Sequence, residues 1–515
     1  MRINEDEMKH WFQVTKRWSL VIASAATLTI GAMALLSCGG EGGPIHSGGG
    51  GGGGNSFTAQ FLALLPSGQA GATYVGPTVC KTCHDGTTPQ MIKAHGRAAN
   101  PNEPYYDEWS GTAHAANNVT CEQCHGPGSN HANSATPDAT TILGVPKSNS
   151  PIICAQCHGP IYDDWNGTAH AQILADPVNI SVSQARSSRC IQCHSGLFRT
   201  ETAEQGIDVG NSTQLPDAQI TQFETWAINN VPNTANCATC HNPHKATSGN
   251  NPSDATWQGQ EAQLRHQELN TDTTQVAAPA TAATFVNFDQ VCAECHNGRG
   301  MNPADSNLSL ASATSRFQGH ASCQYNMLMG TGGVEGSGTV QRNMAHATAP
   351  GQCAHCHMPN SSHTYTVSYD VSCQPCHTGQ GAADNANSVK TTMINGEYAL
   401  LTRLESWATT KFGQSTWWDY TSNITTNPTI TTAQEATVPI QVREARYNYY
   451  MISIDNSYGP HNFPYATTLL QVANSDLDAL GVPGAASRAD LTTAQKLQIL
   501  RSMRAQALKN MGESN

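Results

Sequence analysis

Residues 121–125 read Cys-Glu-Gln-Cys-His, and this five-residue pattern decides what kind of fold the chain can have. The pattern Cys-x-x-Cys-His occurs eight times between residues 80 and 377, and it uses 16 of the 18 cysteines in the chain of 515 residues. The sixteen cysteines are Cys80, Cys83, Cys121, Cys124, Cys154, Cys157, Cys190, Cys193, Cys237, Cys240, Cys292, Cys295, Cys353, Cys356, Cys373 and Cys376. The histidines that follow them are His84, His125, His158, His194, His241, His296, His357 and His377. Such a repeat predicts one chemical task performed eight times.

The repeated pattern is the attachment signature of c-type haem. Two thiols add across the two vinyl groups of one porphyrin, and the next side chain then places its imidazole on the iron. Disulfides and zinc ribbons also use Cys-x-x-Cys pairs, but neither demands a histidine directly after the second cysteine. A thioredoxin-like redox motif would occur once, near a βαβ pattern. The set therefore predicts eight covalent haem c groups.

The composition indicates a core that side chains alone would struggle to build. Apolar residues make up 38% of the chain and charged residues 12%, against about 45–50% and about 25% in typical globular domains. Eight porphyrins would supply the missing apolar surface. No alternating strand pattern of useful length is present. We therefore expect a mainly α fold with much coil, built round a haem array, with C-terminal helices packing on it and almost no β-sheet.

The N-terminal segment resembles the signal of an exported lipoprotein. Four basic residues precede an apolar run at 20–36, which ends in Leu35-Leu36-Ser37-Cys38-Gly39, a sequence that resembles the bacterial lipobox. The resemblance implies cleavage before Cys38 and lipid attachment to its thiol. Gly39, in place of the Asp that favours retention in the inner membrane, favours the outer membrane. A retained helical anchor is the alternative, although the run is short for a membrane span.

These features divide the chain into four predicted segments. Residues 1–37 form the signal peptide, and 38–72 form a lipid-anchored tether rich in glycine, which behaves as flexible coil. Residues 73–385 form the octahaem domain, and 386–515 form a helical region without cysteine that packs on the haems. Within the last segment, helices are predicted at 391–412, at 439–452 with Pro439 at its start, and at 492–511 with Thr492 and Thr493 as its cap.

The net charge limits the classes of partner. It is −12 for the whole chain, and it becomes about −13 without residues 1–37, which carry four basic and three acidic side chains. An acidic chain of this kind is a poor match for nucleic acid. We expect its partners to be cationic patches on other redox cytochromes or on a porin–cytochrome conduit, and metal oxides outside the cell.

A haem iron has a sixth coordination position that is either filled by a side chain or left open. Two near-identical stretches, YYDEWSGTAHA at 105–115 and IYDDWNGTAHA at 161–171, each end in His-Ala. Each stretch predicts a short helix followed by a turn that aims the histidine at a haem. Sequence context gives nine candidate distal ligands for eight irons: His95, His114, His131, His170, His244, His320, His346, His363 and His461. His355 lies between the cysteines of a motif and His266 in a helical context, so neither is included.

Several stretches resemble the multihaem cytochrome superfamily over about residues 75–475: CEQCHGPGSNH, EWSGTAHA, CATCHNPH, CAHCHMP and EARYNYYMISIDNSYGPHNFPYATTLLQVA. That superfamily contains the tetrahaem carrier of ammonia oxidisers, pentahaem nitrite reductase, and octahaem hydroxylamine oxidoreductase and tetrathionate reductase. The lipobox, the tether and the haem count also resemble octahaem outer-membrane lipoproteins of metal-reducing bacteria. The resemblance implies stacked and perpendicular haem pairs with C-terminal helices packed on them.

The chain departs from the enzymes of this superfamily at the positions that mark a catalytic haem. Nitrite reductase commonly has a lysine in the motif of its catalytic haem, and tetrathionate reductase has a lysine ligand, whereas all eight motifs here end in His. Hydroxylamine oxidoreductase links a tyrosine to its haem; Tyr447, Tyr449, Tyr450 and Tyr458 lie in the corresponding region. Cys323 matches no motif, and a buried thiol or a contact with another protein would both explain it.

The favoured interpretation is an electron-transfer protein without catalytic residues. It would conduct electrons through bis-His haems at the cell envelope, in extracellular electron transfer to metal oxides or other acceptors. Its expected location is the outer membrane, on the cell-surface or periplasmic face, or outside the cell. Two alternatives stay open: an octahaem reductase or oxidoreductase of nitrogen or sulfur oxyanions with one open haem, and a subunit of an extracellular cytochrome filament.

Overall fold

The computed structural model describes most of the chain from residue 54 onward, as parts of one compact unit. The described ranges are 54–85, 105–171, 195–200, 235–244, 290–298, 303–308, 322–338, 352–379, 381–419, 430–484 and 491–510, with a few single positions between them. The predicted signal, the lipobox, the first part of the tether and the motif at 190–194 lie outside these ranges. So do His95, His266 and His320.

Most of the helices that precede residue 380 are single turns or little more. They are α1 Gly54–Leu64, α2 Pro77–Lys81, α3 Tyr105–Ser110, α4 Ala113–Ala116, α5 Cys121–His125, α6 Ser129–Ala132, α7 Pro151–Ala155, α8 Gly159–Asn166, α9 Gly196–Phe198, α10 Cys237–Cys240, α11 Gln290–Cys295, α12 Asp305–Leu308, α13 Gln324–Met329 and α14 Gln352–His357. Short 3-10 turns lie at Ser67–Gln69, Lys147–Asn149, Ala169–Ala171 and Pro359–Ser361, and a π turn at Tyr369–Cys373. Coil connects them.

Longer helices occupy the C-terminal region. They are α15 Ala382–Phe412, α16 Thr432–Glu435, α17 Ile440–Asp455, α18 Phe463–Ala479 and α19 Thr493–Asn510, with a 3-10 turn at Ser415–Trp418. None of the described helices is both long and apolar enough to cross a membrane. No β-strand occurs in the described ranges, where pairing is limited to an isolated bridge between His241 and Leu264. The predicted fold class, mainly α with much coil, is confirmed.

The C-terminal helices share one apolar core. Leu404 of α15, Val442 and Met451 of α17, and Tyr465 and Leu469 of α18 are completely buried. Burying a large apolar side chain stabilises the folded state by about 1.5–3 kcal/mol, so this region has a conventional protein core. The N-terminal half has a smaller one, centred on Phe61, Leu143, Ile152, Tyr162 and Trp165.

Three of the predicted C-terminal helices are present with shifted ends, and one helix was not predicted. The helix predicted at 391–412 begins nine residues earlier, at Ala382. The prediction missed this start because the first turns are exposed and carry no apolar periodicity. The second runs over 440–455 with Pro439 as its N-cap. The third begins at Thr493, where Thr492 and Gln495 cap each other. Helix α18 was not predicted, although Asn462 caps it and Pro464 lies in its first turn, both of which are helix-start signals.

Candidate haem-binding sites

Each described motif is a helical turn that brings its cysteines and histidine to one side. The backbone N–H of the motif histidine donates to the carbonyl of the first cysteine, at 3.0 Å in the pair His84–Cys80, 2.9 Å in His158–Cys154 and 2.8 Å in His241–Cys237. Residues three and four apart on a helix lie on the same face, so the two thiols and the imidazole point the same way. The described cysteines form no disulfide, which leaves these thiols available for attachment.

The imidazole of every described motif histidine lies beside the imidazole of one distal candidate. The ring centroids are 6.5 Å apart for His84–His131, 6.1 Å for His125–His244, 6.3 Å for His114–His158, 5.9 Å for His170–His296, 6.2 Å for His241–His363, 5.9 Å for His346–His377 and 6.3 Å for His357–His461. No histidine occurs in two of these pairs. The partners are separated by up to 126 positions along the chain, and in no pair does the distal histidine belong to the same motif.

The spacing of these pairs fits one metal ion between the two rings. An imidazole nitrogen binds a first-row metal at about 2.0–2.1 Å, so two rings on opposite sides of one ion have centroids roughly 6 Å apart. The rings need not be parallel: the interplanar angle is 11° in His125–His244 and 85° in His346–His377. The two imidazoles and four porphyrin nitrogens would make up the six donors of a haem iron, and the two thiols of the motif would bond to the porphyrin edge. The residues present therefore fit this group at the seven described motifs.

The other histidines have less informative positions. Three of them, His194, His95 and His320, lie outside the described residues. His355 is half-buried inside α14, with its Nε2 3.8 Å from the Cys376 thiol, and it is not paired with any of the seven described motif histidines. His244 follows the fifth motif in the sequence, but its ring lies beside that of His125 in the second motif.

Hydrogen bonds at Nδ1 orient several of these rings. The Nδ1 of His125 lies 2.7 Å from the carbonyl of Leu143, that of His346 2.5 Å from Pro460, and that of His363 2.9 Å from Ser361. A carbonyl partner makes Nδ1 the protonated nitrogen and leaves Nε2 as the donor to a metal.

At several of these histidines, burial favours the neutral imidazole that ligates metals. Burial, with a smaller contribution from the neighbouring His296, lowers the pKa of His170 to about 4. Burial also lowers the pKa of His125 and of His296. Conversely, burial and nearby thiols raise the pKa of Cys124 to about 12. Burial therefore favours uncharged imidazoles and thiols at these positions.

The two repeated stretches use the same contacts to place their histidines. The indole of Trp109 donates to the carbonyl of Val119 at 3.0 Å, and that of Trp165 donates to Ala235 at 2.8 Å. Each acceptor lies two residues before the first cysteine of another motif. The threonine of each stretch donates to the carbonyl of its tryptophan at 2.7 Å. The repeat therefore ties a histidine-bearing turn to the start of a different motif.

A buried carboxylate that the sequence analysis did not single out joins the first two motifs. Glu122 lies inside the second motif and is 2% exposed. It accepts hydrogen bonds from the backbone N–H groups of Val75 at 2.9 Å, Gly76 at 2.8 Å and Gly128 at 2.8 Å. A carboxylate at the middle position of Cys-x-x-Cys would have been the signal, because a charged residue there needs donors if it is buried.

The acidic pair at 163–164 has a structural task. Asp164, on α8, accepts hydrogen bonds from the hydroxyl of Ser362 and from the backbone N–H of His363, both at 3.1 Å. The carboxylate thus holds the loop that carries the His363 imidazole.

The remaining residues of interest belong to the helical core. Cys323 is completely buried, and its thiol donates to the carbonyl of Met451 at 3.3 Å, so it is not available to another protein. Tyr449 and Tyr450 pack against Trp418, with centroids 5.0 and 5.7 Å away. The hydroxyl of Tyr447 donates to the carbonyl of Gly332 at 3.0 Å. The glycine-rich segment 330–338 is a loop.

Comparison with known proteins gives a family match over part of the chain. Residues 113–204 match the family model described as Cytochrome c3. This range contains three of the eight motifs and the two distal candidates of the repeated stretches. The match supports covalently bound haem c and the electron-transfer function of a multihaem c-type cytochrome. None of the curated proteins matches the chain.

Two solved structures are similar to the chain at low sequence identity. One is described as an undecaheme cytochrome from the S-layer of Carboxydothermus ferrireducens, with 21% identity and a TM-score of 0.44 over 71% of this chain and 50% of that one. The other is described as the outer cell wall cytochrome OcwA, with 17% identity and a TM-score of 0.42 over 70% of each chain. The chain spans about half the length of the first and about two thirds of the second.

Proposed function

We propose that this protein is an octahaem c-type cytochrome that conducts electrons through haems with two histidine ligands. The observation that carries the proposal is the set of seven imidazole pairs, each with one motif histidine and one distal histidine at the spacing of a shared metal ion. We number the haems 1 to 8 in the chain order of their motifs. Two imidazoles on each iron would leave no position for a substrate, which favours conduction over catalysis.

The bound haem would supply a one-electron ferric–ferrous couple, with a potential set by axial ligands, burial and hydrogen bonds. The chain's own residues hold and orient it. The motif thiols fix the porphyrin edge, and the imidazole pairs fix the two faces. Glu122, Asp164, Trp109 and Trp165 anchor the segments that carry those ligands. An imidazole on each side of the iron would leave no coordination position for water.

Contacts between thiols of different motifs indicate which haem edges are neighbours. The thiols of Cys80 and Cys121 are within hydrogen-bonding contact, and so are those of Cys154 and Cys237. Cys124 has the thiols of motif 3 as electrostatic neighbours. Since each thiol would bond to a porphyrin edge, haem 1 would lie next to haem 2, haem 2 next to haem 3, and haem 3 next to haem 5. In the same way, Cys356 has both thiols of motif 8 as neighbours, which puts haem 7 next to haem 8.

Tyr365 would connect these two groups. Its ring meets that of His170, a ligand of haem 6, edge-on at 4.6 Å, and lies 6.2 Å from that of His363, a ligand of haem 5. Its carbonyl lies 3.3 Å from the Nδ1 of His357, a ligand of haem 7. Haems 5, 6 and 7 would therefore converge on one residue, and a route from haem 1 to haem 8 would pass through the described motifs.

The fourth motif needs a partner from the histidines that remain. Seven of the nine distal candidates are used in the described pairs, which leaves His95 and His320. One of them would ligate haem 4 beside His194, and the other would be spare. A spare imidazole would be free to ligate a haem of another chain, as a filament subunit would require.

The N-terminal sequence supports a place at the cell envelope. Cleavage before Cys38 and lipid attachment there would tether the haem domain to a membrane through the glycine-rich segment. Attachment of haem c after export agrees with that address. We propose the outer membrane as the location, and other redox cytochromes, a porin–cytochrome conduit or extracellular metal oxides as the partners.

Stepwise reduction of the isolated protein tests the proposal. The purified chain should take up and release eight electrons reversibly in a coulometric titration, and the reduced form should be reoxidised by a soluble ferric complex. Nitrite, hydroxylamine and tetrathionate should not be turned over. Steady-state reduction of nitrite or tetrathionate, or oxidation of hydroxylamine, would replace conduction with catalysis at an open haem.

A further inference from the structure

His461 has a carboxylate partner, which distinguishes it from the other ligand histidines with a described Nδ1 contact. Its Nδ1 lies 2.5 Å from Oδ1 of Asp455, whose side chain is 4% exposed. The Nδ1 partners of His125, His346, His357 and His363 are backbone carbonyls, and those of His131 and His296 are hydroxyl groups.

The Asp455 carboxylate is fixed in place. It ends α17, and its second oxygen, Oδ2, accepts hydrogen bonds from the hydroxyl of Ser457 at 2.5 Å and from the backbone N–H of Ser457 at 3.3 Å. With Oδ2 occupied by these donors, Oδ1 is directed at the imidazole. His461 follows six residues later, on the turn that leads into α18.

The charges that face this carboxylate come from three helices. Glu397 of α15 and Arg504 of α19 interact electrostatically with Asp455 of α17. Arg501 of α19 lies near Arg504 and the phenol of Tyr458. Arg504 thus faces the acidic side chains of both Asp455 and Glu397, and its own Nε has no hydrogen-bond partner among the described residues. The carboxylate at Asp455 is therefore only partly compensated.

A carboxylate that accepts the Nδ1 proton of a ligand histidine makes the other nitrogen a stronger donor. A stronger donor, with a buried negative charge behind it, stabilises ferric iron more than ferrous iron. The stronger imidazole donor and the buried negative charge therefore both lower the reduction potential of the haem.

We infer that Asp455 is a positioning residue that acts through His461 to make haem 7 more reducing than the haems whose ligands have carbonyl or hydroxyl partners. The inference rests on the proposed function, since it requires His357 and His461 to share an iron. It places a low-potential haem between haem 8 and the junction at Tyr365.

Asp455→Asn tests the inference at constant pH, because the amide keeps an oxygen that can accept the Nδ1 proton but removes the charge. Eight-component spectroelectrochemical titration of the full-length, haem-loaded protein should show one component shifted toward easier reduction by at least tenfold in its equilibrium constant, which is about 59 mV for one electron. The matched control is Asp478→Asn, which removes a carboxylate from Arg403 in the same helical region and away from any described imidazole pair. The control should shift no component by this amount.

A double-variant cycle separates action through the histidine from a direct field effect. In His461→Met, the new thioether has no Nδ1, so adding Asp455→Asn should move the affected component much less than it does with His461 present. A full-size shift in both backgrounds would overturn the role assigned to His461 as intermediary. Asp455→Asn with eight low-spin haems and no component shifted tenfold would overturn the inference and leave the proposed function intact.

Failure of the proposed function has a different signature. If His461→Met changes neither the low-spin electron paramagnetic resonance signals nor any potential, His461 is not a haem ligand, and the inference falls with that assignment. Should Asp455→Asn fail to fold, Ser457→Ala removes the hydroxyl that fixes Oδ2, and it should shift the same component. An unchanged titration of Ser457→Ala would then count against the inference.

Discussion

Single polar side chains determine where each ligand imidazole points. Glu122, Asp164 and Asp455 are carboxylates, yet none of them is placed to act on a substrate. Each accepts hydrogen bonds from backbone or imidazole groups of a haem-binding segment. In a chain with 12% charged residues, the few carboxylates that are buried therefore carry a large share of the geometry. Two predictions follow from individual residues.

The first concerns the distal ligand of haem 6. His170→Ala should convert one haem per chain from low spin to high spin, because the substitution removes the imidazole that pairs with His296. Low-temperature electron paramagnetic resonance measures the change. His355→Ala serves as the control, since His355 is not paired with any of the seven described motif histidines, and it should leave the spin states unaltered. An entirely low-spin His170→Ala protein would show that the pair does not share an iron.

The second concerns the anchor between motifs 1 and 2. Glu122→Gln replaces one acceptor oxygen with an N–H₂ group that cannot accept a proton, so at least one backbone N–H loses its partner. Hydrogen bonds to charged groups contribute about 1.5–3 kcal/mol each, so we expect the free energy of unfolding to fall by about 2–4 kcal/mol in chemical denaturation. Asp107→Asn, at an exposed contact with Lys81, is the control and should change it little. Equal stability of the two variants would contradict the anchoring role.

At the scale of elements, the chain uses two kinds of helix. The motif helices are single turns that present thiols and an imidazole, whereas α15, α17, α18 and α19 pack through apolar faces. The long helix α15 also buries Glu397, whose Oε2 has no hydrogen-bond partner. Burial raises the pKa of Glu397 to about 7, although a hydrogen bond from Ser453 and the charge of Arg504 act in the opposite direction.

The sign of this shift predicts how stability depends on pH. Because the folded-state pKa is above the ordinary value of 4.5, the stabilisation is fully present below about pH 4.5 and is lost as the pH rises through 7. Glu397→Gln should remove that loss. We expect the difference in unfolding free energy between variant and parent to grow by roughly 3 kcal/mol from pH 4.5 to pH 8. A difference that is independent of pH would show that Glu397 is ionised without penalty.

The element-level predictions succeeded where the sequence pattern was local. Caps and apolar spacing located three C-terminal helices, including the start at Pro439 and the cap at Thr492. The pattern failed at the first turns of α15, which are exposed and polar, and at α18, whose start follows a coil that contains His461. Helix ends of that kind depend on packing against neighbours, which a local pattern does not contain.

At the scale of the whole molecule, the motifs predicted the fold class and the cofactor, but they could not predict which histidines meet. His241 and His363 are 122 positions apart, and His125 and His244 are 119 apart, with other motifs between them. No local spacing encodes such a pairing, because the two histidines belong to segments that meet only in the tertiary structure. The anchors Glu122 and Asp164 were missed for the same reason, since their partners are distant in sequence or lie in backbone.

Low-temperature electron paramagnetic resonance on the fully oxidised protein, with haem counted in parallel, tests the central claim most directly. We expect eight haems per chain and only low-spin signals, whose intensities sum to all eight irons. A high-spin signal near one haem per chain, perturbed by nitrite, hydroxylamine or tetrathionate, would contradict it, because that signal would require an iron with an open sixth position.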